Sequence, residues 1–264
     1  MKKFLTVALA GVLAASMLFT GCSKKAESKV PDKLIVGTNA EFPPFEYMND
    51  KKQPEGFDIA MIKEIGKRMG KKVEIKNMEF KSLIGAMESN SINTIIAGMT
   101  KTKERQKSVD FSDSYYTSNQ AIILKKDSKI KKLSQLEGKK VGVQEGTTGD
   151  LISSGDKFGD GKKAKVLVKG AKVKRFKKGV DAVMDLKNGS VDAVVIDELT
   201  ANEFVKKNAK KLKIVIDSAG SEYYCIALTK GNTAYKEEVN KQIKAIKEDG
   251  TYDKLKAKYI DSKN

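Results

Sequence analysis

From Leu34 onward, short apolar runs alternate with stretches of helical periodicity, and this rhythm restricts the fold more than any other feature of the chain. Leu34-Ile35-Val36-Gly37 reads as a buried strand closed by glycine. Asp58 to Gly70 places Ile62, Ile65 and Met69 on one helical face, with Asp58 as a candidate cap and Gly70 as a stop. Further strands are expected at 73–78, 94–96, 121–125, 140–144, 165–168, 192–196 and 223–229, and helices at 80–90, 148–157, 178–188, 198–208 and 234–248. Such alternation predicts an α/β architecture with largely parallel sheets. One internal echo stands out: Ser91-Ile92-Asn93-Thr94-Ile95-Ile96 parallels Ser190-Val191-Asp192-Ala193-Val194-Val195, each behind a helix carrying a methionine, Met87 or Met184. Two lobes built on similar units produce that echo, and so does chance in any α/β chain.

The amino terminus follows a different pattern. Met1-Lys2-Lys3 precedes an apolar stretch from Phe4 to Phe19, too short for a spanning helix of roughly 20 residues and suited to an export signal. It ends in Leu18-Phe19-Thr20-Gly21-Cys22, which resembles a bacterial lipobox, with Phe19 where leucine is usual. That resemblance implies removal of residues 1–21, lipidation of Cys22 by diacylglycerol and palmitate, and a location on the extracytoplasmic face of the cell membrane. More than one acyl chain gives stable anchoring, whereas one is marginal. Residues 22–33, rich in Lys, Ser and Glu, read as a tether.

Composition narrows the chemistry. The chain of 264 residues contains no histidine, which excludes Ser–His and Cys–His catalysis and histidine-ligated metals. Two cysteines cannot build a zinc site of the Cys-rich kind or a disulfide framework. Cys225, in the apolar run Tyr223-Tyr224-Cys225-Ile226, reads as a small core residue. No metal, no cofactor and no catalytic residue is expected. Net charge is +17, falling to +15 once Lys2 and Lys3 leave with the signal, and only Arg68, Arg105 and Arg175 are arginine. Nucleic-acid binders favour arginine forks and interleaved aromatics, so this lysine-dominated charge reads as a solvated surface, with no nucleic-acid partner.

In open α/β sheets, ligands sit beyond the carboxyl ends of strands. This chain places Thr38-Asn39-Ala40-Glu41-Phe42-Pro43-Pro44-Phe45-Glu46 after the first strand, Ala97-Gly98-Met99-Thr100 through Arg105 after 94–96, Glu145-Gly146-Thr147-Thr148 after 140–144, and Asp197-Glu198 after 192–196. The set complements an amino acid zwitterion. Arg105 offers a planar fork for a carboxylate, with the Gly146-Thr147-Thr148-Gly149 helix start beside it. Asp197 ends an apolar strand, where its charge needs a cation such as an ammonium. Phe42, Phe45 and Phe80 suit the ligand's side chain. Each has a plainer alternative: Arg105 on the surface of a helix start, Asp197 as a cap for 198–208, Thr147 and Thr148 as a mere helix start, and the three phenylalanines as core.

Together, Gly37-Thr38-Asn39-Ala40-Glu41-Phe42-Pro43-Pro44-Phe45, Gly56-Phe57-Asp58-Ile59, Ala97 through Arg105, Val109-Asp110-Phe111-Ser112, Gly146-Thr147-Thr148 and Asp192 through Asp197 resemble family 3 of the bacterial extracellular solute-binding proteins, receptors of polar amino acid ABC transporters. The resemblance implies a two-lobed fold of the type II periplasmic-binding-protein kind with two crossover hinge strands. Residues 34–118 plus 222–264 would form lobe 1, and residues 119–221 lobe 2. It further implies that Arg105 and Thr148 hold the α-carboxylate, that Asp197, the Gly98 carbonyl and Thr100 hold the α-ammonium, that Phe42 and Phe80 stack on the side chain, and that Asn39 and Gln144 meet its polar end. Relatives that recognise cationic side chains often carry Asp at the position of Asn39, leaving Glu41 or Glu46 to replace that charge. Arginine or lysine ranks first as ligand, followed by glutamine, histidine and cystine. The implied protein is a monomeric, non-enzymatic receptor whose partners are the amino acid, a transporter permease and, through Cys22, the membrane. A dehydratase-like enzyme on the same fold is the alternative.

Overall fold

The computed structural model describes residues 29–155, 167–216 and 221–261. The export signal, Cys22 and most of the tether lie outside the described residues.

The chain begins with β1 (Lys33–Thr38), then a small antiparallel sheet of β2 (Glu41–Phe42), β3 (Glu46–Met48) and β4 (Pro54–Glu55). Helix α1 (Phe57–Arg68) follows, burying Ile62 and Ile65 as the spacing predicts. Asp58 lies inside α1, not at its cap, and its side chain is fully buried. Next come β5 (Lys72–Asn77), a 3-10 turn at Phe80–Ser82, α2 (Leu83–Glu88), β6 (Thr94–Ile95), α3 (Arg105–Ser108) and β7 (Val109–Ser118). With β1 and one later strand, β5, β6 and β7 form the first sheet.

The second sheet is built from β8 (Gln120–Lys125), β9 (Lys140–Gln144), β10 (Lys172–Phe176), β11 (Ala193–Asp197) and β12 (Leu212–Ile216), with α4 (Thr148–Ser154), α5 (Gly179–Asn188) and α6 (Glu198–Lys206) between them. β13 (Glu222–Thr229) then returns to the first sheet, followed by α7 (Thr233–Glu248) and α8 (Thr251–Tyr259).

The two sheets repeat one plan. The first runs β5-β1-β6-β13-β7 and the second β10-β9-β11-β8-β12. In each, the first two pairings are parallel and the last two antiparallel. The expectation of largely parallel sheets therefore holds for only half of the pairings. The antiparallel ones involve the strands that carry the chain between sheets: β7 leads into β8 after one residue, and β13 pairs with β7 on returning. The sequence echo falls on β6 and β11, each the central strand of its sheet. The helices behind them differ in detail, since Met87 is buried and Met184 is exposed.

Several elements have no counterpart among the expected ones, namely β2 to β4, α3, β7, β10, β12 and α8, and three of them show why. β7 buries Ser112 and Ser118 along with Val109, Phe111 and Tyr115, and Ser112 Oγ accepts the Ile226 N–H at 2.9 Å. Hydroxyls satisfied across the ladder break the apolar alternation that marks a strand. Of the strand expected at 165–168, residues 165–166 are outside the described set and Val168 is buried in a bend, while β10, 172–176, has no counterpart among the expected strands. β10 is an edge strand bearing Lys172, Lys174 and Arg175, and such charge protects an edge while hiding it from a hydrophobic scan. Helix α8 is mostly polar and docks through Tyr252, whose hydroxyl donates to the Tyr115 carbonyl at 2.8 Å.

Candidate functional site

The carboxyl ends of β1, β6, β9 and β11 face one another across the gap between the sheets, where a narrow cavity lies between them. It is lined by Asn39, Phe42, Phe80, Gly98, Thr100, Arg105, Gln144, Thr148 and Asp197, together with Glu46, Ala97 and Thr147. All nine residues to which the resemblance assigns ligand contacts thus line one cavity.

Arg105 opens α3 yet is buried. Its Nη1 donates to the Thr100 carbonyl at 2.7 Å and its Nη2 to the Gly146 carbonyl at 3.1 Å, and the guanidinium lies 5.2 Å from the centre of the Phe80 ring. Burial holds its pKa down to about 10, with Glu222 and Asp197 opposing, so it remains a cation at neutral pH. Asp197 does not cap α6 with its side chain; its Oδ1 accepts the Tyr224 hydroxyl at 2.6 Å. Burial raises its pKa, and the nearby Glu222 charge raises it further.

Gly98 sits at φ +53°, and a Cβ there would come within 3.0 Å of the Phe42 ring. Glycine therefore serves both the left-handed backbone and the close approach of the ring. Its N–H donates to Asp58 Oδ2 at 2.8 Å, the same oxygen that takes the Tyr115 hydroxyl at 2.7 Å. Thr100 donates its hydroxyl to Glu222 Oε2 at 2.7 Å, which leaves its oxygen as an acceptor on the cavity side. On the opposite wall, Thr147 caps α4 by accepting the Asp150 N–H. Asn39 and Gln144 meet directly, Gln144 Nε2 donating to Asn39 Oδ1 at 2.8 Å, while Asn39 Nδ2 donates to the Met78 carbonyl.

Of the two glutamates considered as a replacement charge, Glu41 is engaged elsewhere, paired with Lys178 at 2.7 Å. Glu46 lines the cavity, is fully buried, and meets the Asp58 carboxyl, a like group with which it shares a hydrogen bond when one of the two is protonated. Burial, then the neighbouring Asp58 and Asp197 charges, push its pKa well above the usual carboxylate range. Phe45 does not line the cavity. It is core, with ring centres 5.0 Å from Tyr116 and 5.1 Å from Tyr224. Cys225 is buried and free, its thiol pushed up to about 11 by burial. Glu222 and Gln120, which hold the hydroxyls of this site, carry no motif signal because they lie at strand starts far apart in the chain.

A polar cavity between two matching sheets, walled by Phe42 and Phe80 and carrying a buried arginine opposite a buried aspartate, meets its decisive observation in the comparison with known proteins: residues 34–262 match the family of bacterial extracellular solute-binding proteins, family 3. The chain belongs to that family. The arginine-binding extracellular protein ArtP of Bacillus subtilis (strain 168) is 34% identical over 263 residues, covering 98% of both chains. Among solved structures, an ancestral arginine-binding protein bound to arginine superposes with a TM-score of 0.80 at 44% identity, over 88% of this chain and 100% of that one. The arginine-, lysine-, histidine-binding protein ArtJ of Geobacillus stearothermophilus gives 0.78 at 36%, over 88% and 96%. The fold is accordingly the two-lobed type II periplasmic-binding-protein architecture of this family.

Proposed function

We propose that this protein captures a cationic amino acid, arginine before lysine, between its two lobes and hands it to an ABC transporter permease. The lobes are residues 34–118 plus 222–264 and residues 119–221, hinged where β7 passes into β8 and where the chain returns to β13. Arg105 takes the α-carboxylate, with Thr148 beside it; Asp197, the Thr100 oxygen and the Gly98 carbonyl take the α-ammonium. Phe42 and Phe80 flank the side chain, and Asn39 and Gln144 meet its polar end.

Glu46 carries the choice of ligand. A zwitterion satisfies Arg105 and Asp197 and leaves Glu46, whose neighbour Asp58 is itself a carboxyl, without a cation beside it. A buried carboxyl is costly unless paired, so a second cation on the ligand completes the set. The names of the relatives above point the same way.

Calorimetric titration of the protein with the twenty amino acids and cystine tests this reading. Arginine and lysine should bind, and Glu46→Gln should move preference toward glutamine; binding of none overturns the assignment. Anchoring is separable from ligand choice. We place the protein on the extracytoplasmic face of the cell membrane through lipid on Cys22, and Cys22→Ser should release it into the soluble fraction.

A further inference from the structure

Glu222 starts β13 opposite Ser118, the last residue of β7, so its backbone sits where the chain passes between the two sheets. Its side chain reaches both walls of the cavity. Oε2 accepts the Thr100 hydroxyl at 2.7 Å and the Thr148 hydroxyl at 2.8 Å. Oε1 accepts from Gln120 Nε2 at 3.1 Å, and Gln120 begins β8 on the other crossover. Thr100 follows β6 of the first sheet, whereas Thr148 opens α4, which packs on β9 and β11 of the second. A single carboxylate oxygen therefore collects one hydroxyl from each side.

That arrangement is sensitive to the separation of the walls. Both donors reach the same atom only when Thr100 and Thr148 stand within about 6 Å of each other, twice the length of a hydrogen bond. Any hinge motion that parts them breaks at least one charge-assisted bond, the stronger class of hydrogen bond. The other ties between the sides differ. Lys81–Glu145, Lys177–Glu79 and Lys178–Glu41 are ion pairs of solvent-accessible lysines, and such pairs contribute little. Gln144–Asn39 is a neutral amide pair, Tyr224–Asp197 joins the sheets through one bond, and Arg105, anchored on the first wall and not at the hinge, donates across the cleft to the Gly146 carbonyl. Glu222 is the carboxylate that receives a donor from each wall while its own backbone stays at the hinge.

We infer that Glu222 is a positioning residue that latches the closed form, holding Thr100 and Thr148 together across the cleft so that the ligand meets an assembled site. This rests on the receptor reading above, and its test separates the two. Small-angle scattering of the ligand-free protein needs no ligand: Glu222→Gln, nearly the same shape without the charge, should show a larger radius of gyration than the unaltered protein. Calorimetry with L-arginine should give a dissociation constant raised about tenfold in Glu222→Gln, the loss of one charge-assisted hydrogen bond. Glu222→Gln and Thr148→Val should be non-additive, because each removes the same tie. An unchanged radius together with strict additivity would overturn the latch. Failure of the unaltered protein to bind arginine would instead count against the receptor reading, with the scattering comparison still deciding the latch.

Discussion

On the wall from the first sheet, Gly98 is held by Asp58, a fully buried carboxyl whose partners are the Gly98 N–H, the Tyr115 hydroxyl and the Glu46 carboxyl, none of them a cation. On the wall from the second sheet, Gly146 is held by Asp150, a buried carboxyl paired with Arg175 at 2.9 Å. Both glycines have positive φ, and both lead into residues that line the cavity. The same local task is thus performed once without a countercharge and once with one. Asp58 pays through a raised pKa, about 6, caused by burial and only partly offset by its hydrogen bonds. It sits among Phe57, Tyr115 and the aromatic cluster around Phe45, a setting that leaves little room to relax. The lesson is that an uncompensated buried carboxyl makes a stiff support, because every partner it holds is orphaned when it is removed.

Three experiments would break or sharpen this contrast. The largest effect should come from Asp58→Ala, which strands the Gly98 N–H and the Tyr115 hydroxyl in the core. A loss of about 3 kcal/mol is expected in urea denaturation, against about 1 kcal/mol for Asp150→Ala, whose partner Arg175 is partly exposed and regains water. Equal losses would remove the distinction between the walls.

Next in size is Gly98→Ala, which combines a left-handed backbone with a ring at 3.0 Å and should cost roughly 1–2 kcal/mol while weakening arginine binding. At Gly146, φ +79°, the nearest atom to an added Cβ is the Lys81 Cβ at 3.4 Å, so only the backbone term of about 1 kcal/mol applies. A Gly146→Ala variant as damaging as Gly98→Ala would show that packing does not separate the two sites.

The smallest effect is the response to pH. Asp58, Glu46 and Asp197 all have raised pKa values, so the folded protein without ligand holds protons that the unfolded chain releases. Their contribution to stability is fully present below the unfolded carboxylate range near pH 4 and is lost as pH rises through the folded values, about 6 for Asp58. Binding a cationic ligand acts in the opposite sense, since it needs Asp197 and Glu46 ionised. Arginine affinity should therefore fall on acidification, by at most about tenfold per pH unit for each linked proton, with Glu46→Gln and Asp197→Asn each flattening the profile. Calorimetry in buffers of different ionisation enthalpy would register the released protons, and a pH-independent affinity would contradict the carboxyl roles proposed for these residues.

Much of this molecule is legible from residue order alone. Gly98 and Arg105 follow the central strand of one sheet, Asp197 ends the central strand of the other, and polar residues at the end of an apolar run mark a site whatever the tertiary detail. β7, β10 and α8 resist reading for reasons that are local: buried serines that break the apolar alternation, a charged edge, and a short, mostly polar helix docked by Tyr252, Leu255 and Tyr259. Phe42 and Phe45 illustrate the limit best. They are three residues apart and alike in chemistry, yet one walls the cavity and the other fills the core.

The sequence by itself determined the α/β class, the positions of most strands and helices, and which residue types converge on the cavity, because those follow from hydrophobic periodicity and strand ends. Tertiary structure decided what no periodicity encodes: that Glu46 and not Glu41 lines the cavity, that Asn39 meets Gln144, and that Glu222 reaches Thr100 and Thr148 across 122 and 74 residues of chain. Hydrogen bonds act over about 3 Å in space and leave no trace in sequence spacing, so the groups that tie the walls together become visible only once both sheets are assembled.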